Sequence, residues 1–161
     1  MITVKVDLQS PGLKMLEEVA KKAKNLKPLM MKLANLMLSI VRRNFQAGGR
    51  PTAWPARRSG GSHRLLWKTG RLIGSLHAEA TENTAEVSTN VEYAAVHQFG
   101  HTFPPREIRP KRKRALFWPG AEHPVKKVNW PGATVPARPF MVIPDEEIPT
   151  LEKPIKEHLL S

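Results

Sequence analysis

The sequence predicts an α+β domain. A small antiparallel β-sheet packs against two N-terminal helices, a basic β-hairpin arm projects from it, and a helix closes the chain. Three observations carry this prediction. Apolar residues recur at helical spacing in two blocks before residue 48 and again after about Ile148. Between residues 76 and 90 the pattern changes to the alternation of strands around a polar turn. Between 101 and 135, prolines and glycines punctuate basic and aromatic residues, the composition of an extended ribbon.

The elements follow in order. Ile2, Val4, Val6 and Leu8 alternate with Thr3, Lys5 and Asp7, the period of a half-buried strand. Ser10 and Pro11 fit the cap and first turn of a helix. Its stripe of Leu13, Leu16, Val19, Ala20 and Ala23 runs to about Asn25. Pro28 opens a second helix with Leu29, Leu33, Leu36, Met37, Ile40 and Val41 on one face. Met30, Met31, Ala34 and Leu38 carry apolar character further round, and the Gly48-Gly49 pair stops the helix. A helix so broadly apolar requires burial on more than one side, either as a central core helix or between copies of the chain.

Residues 47–64 form a long loop of Gly, Pro, Ser and Arg with Trp54 as its aromatic. Thr69 is placed to cap a short helix that turns Leu72, Ile73 and Leu76 inward. Leu76 to Glu82 and Ala85 to Asn90 make a hairpin with Glu82-Asn83-Thr84 at its turn. Tyr93 to Gly100 is a junction. Tyr93, Val96 and Phe99 fall on one side of a short helical turn, and Gly100 is free to adopt a positive φ and end it. Tyr93 and Phe99 are expected to anchor that corner in the core, with His97 and Gln98 hydrogen-bonding the hairpin or the Arg138 segment.

The arm spans 101–135. Its base carries Arg106, Arg109, Lys111, Arg112, Lys113 and Arg114; Ala115–Trp118 and Val125–Trp130 are its expected strands, with Pro119-Gly120 and Pro131-Gly132 at their ends. Phe117, Trp118 and Trp130 are either a contact surface or a cover for the core. A C-terminal helix begins near Ile148, with Pro154 as an expected kink.

At 161 residues the chain, 1–161, fits one domain. Its 26 Lys and Arg against 14 Asp and Glu give a net charge of +12, which favours acidic partners. From Lys32 to Ala78 there are nine cations and no carboxylate, whereas Asp145 to Ser161 holds five carboxylates and two lysines. These are either two solvated faces or complementary surfaces by which copies meet head to tail. The most apolar run, Leu29 to Val41, is too short to span a bilayer and includes Lys32, and the N-terminus lacks the apolar core of a signal peptide. The expectation is a protein made in the cytoplasm with no membrane partner.

Catalytic and cofactor motifs do not emerge. With no cysteine, thiolate metal sites and cysteine nucleophiles are excluded. Of the six histidines, His97 and His101 have helix-like spacing, but Gly100 lies between them and no third ligand stands at the spacing of a zinc protease. Lys68-Thr69-Gly70 matches a motif of β-lactam-recognising enzymes, yet no Ser-x-x-Lys pair accompanies it. The reading is a non-enzyme without cofactor.

Three motifs in order remain: Leu66-x-x-Thr69-Gly70-x-Leu72-x-x-Ser75; Tyr93-Ala94-x-x-His97-Gln98-Phe99-Gly100; and Ala137-Arg138-Pro139-Phe140. With them the chain resembles the virion-morphogenesis or tail-completion proteins of Mu-like and P2-like phages, and more loosely the neck proteins of siphophages. The Trp54-Pro55 pair fits as well, and the resemblance runs from about residue 1 to 160. It implies a structural subunit of the virion that completes the tail or joins it to the head, assembled in the host cytoplasm. Implied partners are copies of itself in a homo-oligomeric ring, with a hexamer as one stoichiometry, and phage tail and neck or connector proteins. The basic arm would face an acidic neighbour or DNA in the channel. The alternative function is a free nucleic-acid-binding protein using residues 106–114 and the basic loop.

Overall fold

A computed structural model describes residues 2–4, 26–58, 60, 63–111 and 114–160. The helix expected over residues 10–25 lies outside them. Strand β1 (Ile2–Val4) is followed by helix α1 (Lys27–Ala47), the short helix α2 (Arg71–Gly74), strands β2 (His77–Ala80) and β3 (Ala85–Thr89), and helix α3 (Ala94–Phe99). The arm contributes β4 (His101–Phe103), β5 (Arg106–Ile108), β6 (Val128–Trp130) and β7 (Ala133–Val135). A 3₁₀ turn (Asp145–Glu147) then leads into α4 (Ile148–Leu160). The α+β class stands.

The central sheet is antiparallel in the order β1-β3-β2. β2 and β3 form the expected hairpin, pairing His77 with Ser88 and Ala80 with Ala85, and β1 adds to the far edge with Val4 opposite Val87. Helix α1 lies against β2 and β3, and α4 packs against α1. Pro28 sits in the first turn of α1, where its missing N–H costs nothing. Left-handed Gly48 (φ 73°) ends the helix as expected, its N–H directed back to the last turn.

The core forms where these layers meet. Met37, Ile40, Val41 and Phe45 of α1 bury against Trp54, Leu72, Leu76, Val87, Val91, Ala94, Phe140, Met141 and Leu151. Phe45 is the hub. Its ring meets Trp54 edge-on at 5.6 Å and Phe140 tilted at 5.2 Å, geometries favoured by the ring quadrupoles. A smaller cluster of Leu26, Leu29 and Ile155 fastens the start of α1 to α4, so α1 is a central core helix. α4 continues through Pro154, which lies inside it, and Lys156 pairs with Glu152 on its exposed side.

One local expectation changes. The cap of α2 is Gly70, left-handed at φ 70°, and Thr69 reaches only the Arg71 N–H, at 3.4 Å. Gly70 takes the position because its backbone must turn through a region that β-branched threonine avoids. The acidic C-terminal segment is also engaged within its own chain. Glu147 accepts from Arg43 (3.0 Å) and Arg50 (2.7 Å), Glu146 from Arg50 (3.3 Å), and Glu157 pairs with Lys32 (3.2 Å).

Candidate functional site

Two of the three sequence motifs, Tyr93–Gly100 and Ala137–Phe140, meet at one corner. Helix α3 has six residues, and its buried positions are Ala94 and Gln98, one turn apart on one face. The Gln98 side-chain oxygen accepts the main-chain N–H groups of Phe140 and Met141, both at 3.0 Å. The His97 carbonyl accepts the Arg138 N–H at 2.6 Å. Gly100 (φ 73°) packs so close to the returning chain that a Cβ there would lie 2.8 Å from the Ala137 nitrogen. The glycine is required twice, for its dihedral and for this approach.

The Ala137–Phe140 segment is gripped from its other side by the loop. Arg138 is buried at 7% exposure, donating to the carbonyls of Pro55 (3.0 Å) and Ala56 (3.2 Å). Trp54 donates its indole N–H to the Pro139 carbonyl at 2.8 Å. Asn44 of α1 is fully buried, donates to the carbonyls of Phe140 (2.9 Å) and Val142 (2.8 Å), and accepts from Arg50 (3.0 Å). Arg50 passes the connection to Glu147. Loop, corner and C-terminal segment thus share one lattice in which the side chains of Asn44, Gln98, Arg138 and Glu147 find partners.

The first motif joins the same hydrophobic core from α2. Ser75 donates to the Leu72 carbonyl at 2.7 Å and meets Thr89 at 2.6 Å, tying α2 to β3. Leu72 is buried. Leu66, at φ 58°, is half-buried against the core.

Tyr93 and Phe99 depart from expectation. They are 38% and 68% exposed, because a helix this short buries one face and the Ala94–Gln98 face takes it. Tyr93 instead stands edge-on to His97 at 5.8 Å. The His97 contact with the Arg138 segment runs through its main chain; its Nδ1 is buried and without a partner. Burial, and secondarily the Arg138 charge, lower the His97 pKa below the ordinary imidazole value. Among the described residues no group of three His, Asp or Glu side chains could hold a metal ion.

The corner launches the arm, which is built differently from the expected hairpin. Its shaft starts at His101: β4 pairs with β7 (His101 opposite Val135), and β5 pairs with β6 (Arg106 opposite Trp130). Pro104, Pro105 and Pro131 separate the two ladders, since proline has no N–H to donate. Of the expected Ala115–Trp118 strand, only Leu116 pairs, bridging to Val125.

Alternation gives the shaft two faces. One carries a file of rings, with His101 against Phe103 (4.4 Å), Phe103 near Trp130 (6.3 Å), and the Arg106 guanidinium 5.3 Å over Trp130. The other carries Thr102 beside Thr134 and Glu107 between Arg109 and Lys127. Those two cations hold the Glu107 carboxyl below its usual pKa, Lys127 first. Trp130 is half-buried, whereas Phe117 and Trp118 are exposed, as are Lys111 and Arg114; Arg112 and Lys113 lie outside the described residues.

Asn44, Arg50 and Glu147 were missed by sequence reasoning. The available signal was Asn44 itself, an amide in line with Met37, Ile40 and Val41 on the apolar face of a helix. A polar residue at such a position needs a dedicated partner.

The geometry is that of a buried hydrogen-bonded lattice at the root of an exposed arm. The chain belongs to the phage virion morphogenesis family, whose profile matches residues 9–160, and its role is a structural one in building phage particles. It is similar to Mu-like prophage FluMu G protein 2 of Haemophilus influenzae, with 32% identity over 153 residues, covering 94% of this chain and 92% of that one. No solved structure matches it.

Proposed function

We propose that the chain is a ring-forming subunit that completes the phage tail or joins it to the head. The observation that carries this reading is the fixed root of the arm. Trp54, Gln98, Gly100 and Arg138 hold the base of a ribbon whose aromatic and cationic side chains face solvent. An exposed aromatic surface of this kind marks a contact with another macromolecule. Membership of the virion morphogenesis family and the prophage relative support it.

Ring closure uses surfaces other than the acidic C-terminus, and the arm is left for other virion proteins. Glu146, Glu147 and Glu157 already face arginines and a lysine of their own chain, so a neighbour's cationic segment finds them engaged. Lys111, Arg114 and Lys126 of the arm, which make no ion pair among the described residues, remain for tail and neck or connector proteins. On this reading the chain is assembled in the host cytoplasm and ends in the tail or neck of the virion.

Light scattering of the purified chain, alone and mixed with tails lacking it, is the direct check. A ring, with a hexamer as the first stoichiometry to look for, or co-migration with tails supports the proposal. A strict monomer that never joins particles overturns it. The alternative, a free nucleic-acid-binding protein, predicts retention of DNA or RNA with a steep loss as salt rises.

A further inference from the structure

We infer that the tip of the arm is an aromatic anchor, Phe117 and Trp118, that fills an apolar cleft rimmed by carboxylates on a neighbouring virion protein. This rests on the proposed assembly role and names the chemistry of the surface the arm meets. Phe117 is 67% and Trp118 46% exposed, at consecutive positions beyond the last bridge of the ribbon. They are held there by hydrogen bonds. Leu116 and Val125 exchange N–H···O bonds of 2.8 and 3.0 Å, and the Ala121 N–H closes on the Trp118 carbonyl at 3.0 Å. Pro119 and Gly120 (φ 91°) occupy the centre of that turn, the pattern of a type II turn that only glycine adopts without strain.

The charge around the tip sets the partner's sign. From Arg109 to Lys127 the chain carries seven cations and one carboxylate, Glu122. Glu107 on the shaft engages Arg109 and Lys127, while Lys111, Arg114 and Lys126 make no ion pair among the described residues. The uncommitted charge therefore lies near the aromatic pair.

The arrangement favours a protein over a nucleic acid. A strand-tracking surface needs a continuous row of free cations with open ring faces along it. Here Glu107 breaks the row, and the shaft's rings are occupied, with Arg106 over Trp130 and His101 against Phe103. Exposed Phe and Trp within a charged rim match the anatomy of a protein interface, in which an aromatic anchor enters a pocket and the rim charges set orientation.

Photo-cross-linking during assembly tests the inference. With Trp118→p-benzoylphenylalanine in the full chain, irradiation of cells producing particles is expected to join position 118 to another virion protein, at an apolar residue flanked by Asp or Glu. Phe117→Ser with Trp118→Ser is expected to lower incorporation into particles about tenfold or more. Its unfolding temperature should stay at the wild-type value, since neither side chain belongs to the core. Cross-links to DNA, lipid or another copy of this chain overturn the inference, as does normal incorporation of the double variant. If that variant assembles normally while deletion of the chain leaves heads and tails unjoined, the anchor is wrong and the joining role stands. If position 118 captures an acidic partner yet deletion leaves joining intact, the reverse holds.

Discussion

Gln98 accepts the main-chain N–H of Phe140 at 3.0 Å, and through that bond the helix that launches the arm is tied to the segment that closes the core. The same oxygen takes the next N–H, of Met141, so one buried side chain satisfies two main-chain donors.

Gln98→Leu should therefore cost about 2–4 kcal/mol, because two buried N–H groups lose their acceptor at once. Gln98→Glu, which keeps an acceptor oxygen, should lose less than half as much. Chemical denaturation of the two variants gives the comparison, and equal losses would show that shape, not hydrogen bonding, is what the position requires.

Glu147 stands between Arg43 and Arg50 with its side chain 6% exposed. Glu147→Ala should destabilise by about 2–3 kcal/mol, less than for a fully enclosed pair because Arg43 is 45% exposed and water screens it. In Glu147→Gln the loss should be smaller, since the amide oxygen still accepts from a guanidinium and Arg50 keeps its bond to Asn44. Thermal unfolding reads both.

Arg138→Lys should loosen the loop without unfolding the domain. A guanidinium reaches the Pro55 and Ala56 carbonyls together, whereas an ammonium cannot reproduce that planar fork. Limited proteolysis should then cut within residues 50–60 faster than in wild type, with the remainder of the chain protected.

His97 should make stability depend on pH. Its folded pKa lies below the ordinary value of 6.5, so below that value the unfolded chain binds the proton more readily than the folded one. The contribution is fully present above pH 6.5 and is lost progressively as pH falls from there through the folded pKa. Denaturation from pH 5 to 7.5 should show stability rising with pH, with a smaller slope in His97→Asn.

Much of this architecture was legible because it depends on local pattern. Pro28, the α1 stripe and Gly48 mark a helix whatever surrounds it, and the β2–β3 hairpin follows from its alternation and polar turn. The Tyr93–Gly100 corner was legible as a corner, but not in its orientation. Tyr93 and Phe99 have the larger apolar side chains, yet packing gave the buried face to Ala94 and Gln98, where an alanine lets chains approach and an amide satisfies two donors. The arm's register was hidden for a similar reason: Pro104 and Pro105 suggest an irregular start, while the partner strand that orders His101–Phe103 lies some thirty residues later. The pairing of Glu147 with Arg43 and Arg50 spans about a hundred residues, and no local signal encodes it.

Electron microscopy of lysates from a phage lacking this chain addresses the joining role most directly. The account predicts filled heads and separate tails of normal length that fail to join, with joined particles restored when the chain is supplied in trans. Complete, joined particles in its absence would contradict it.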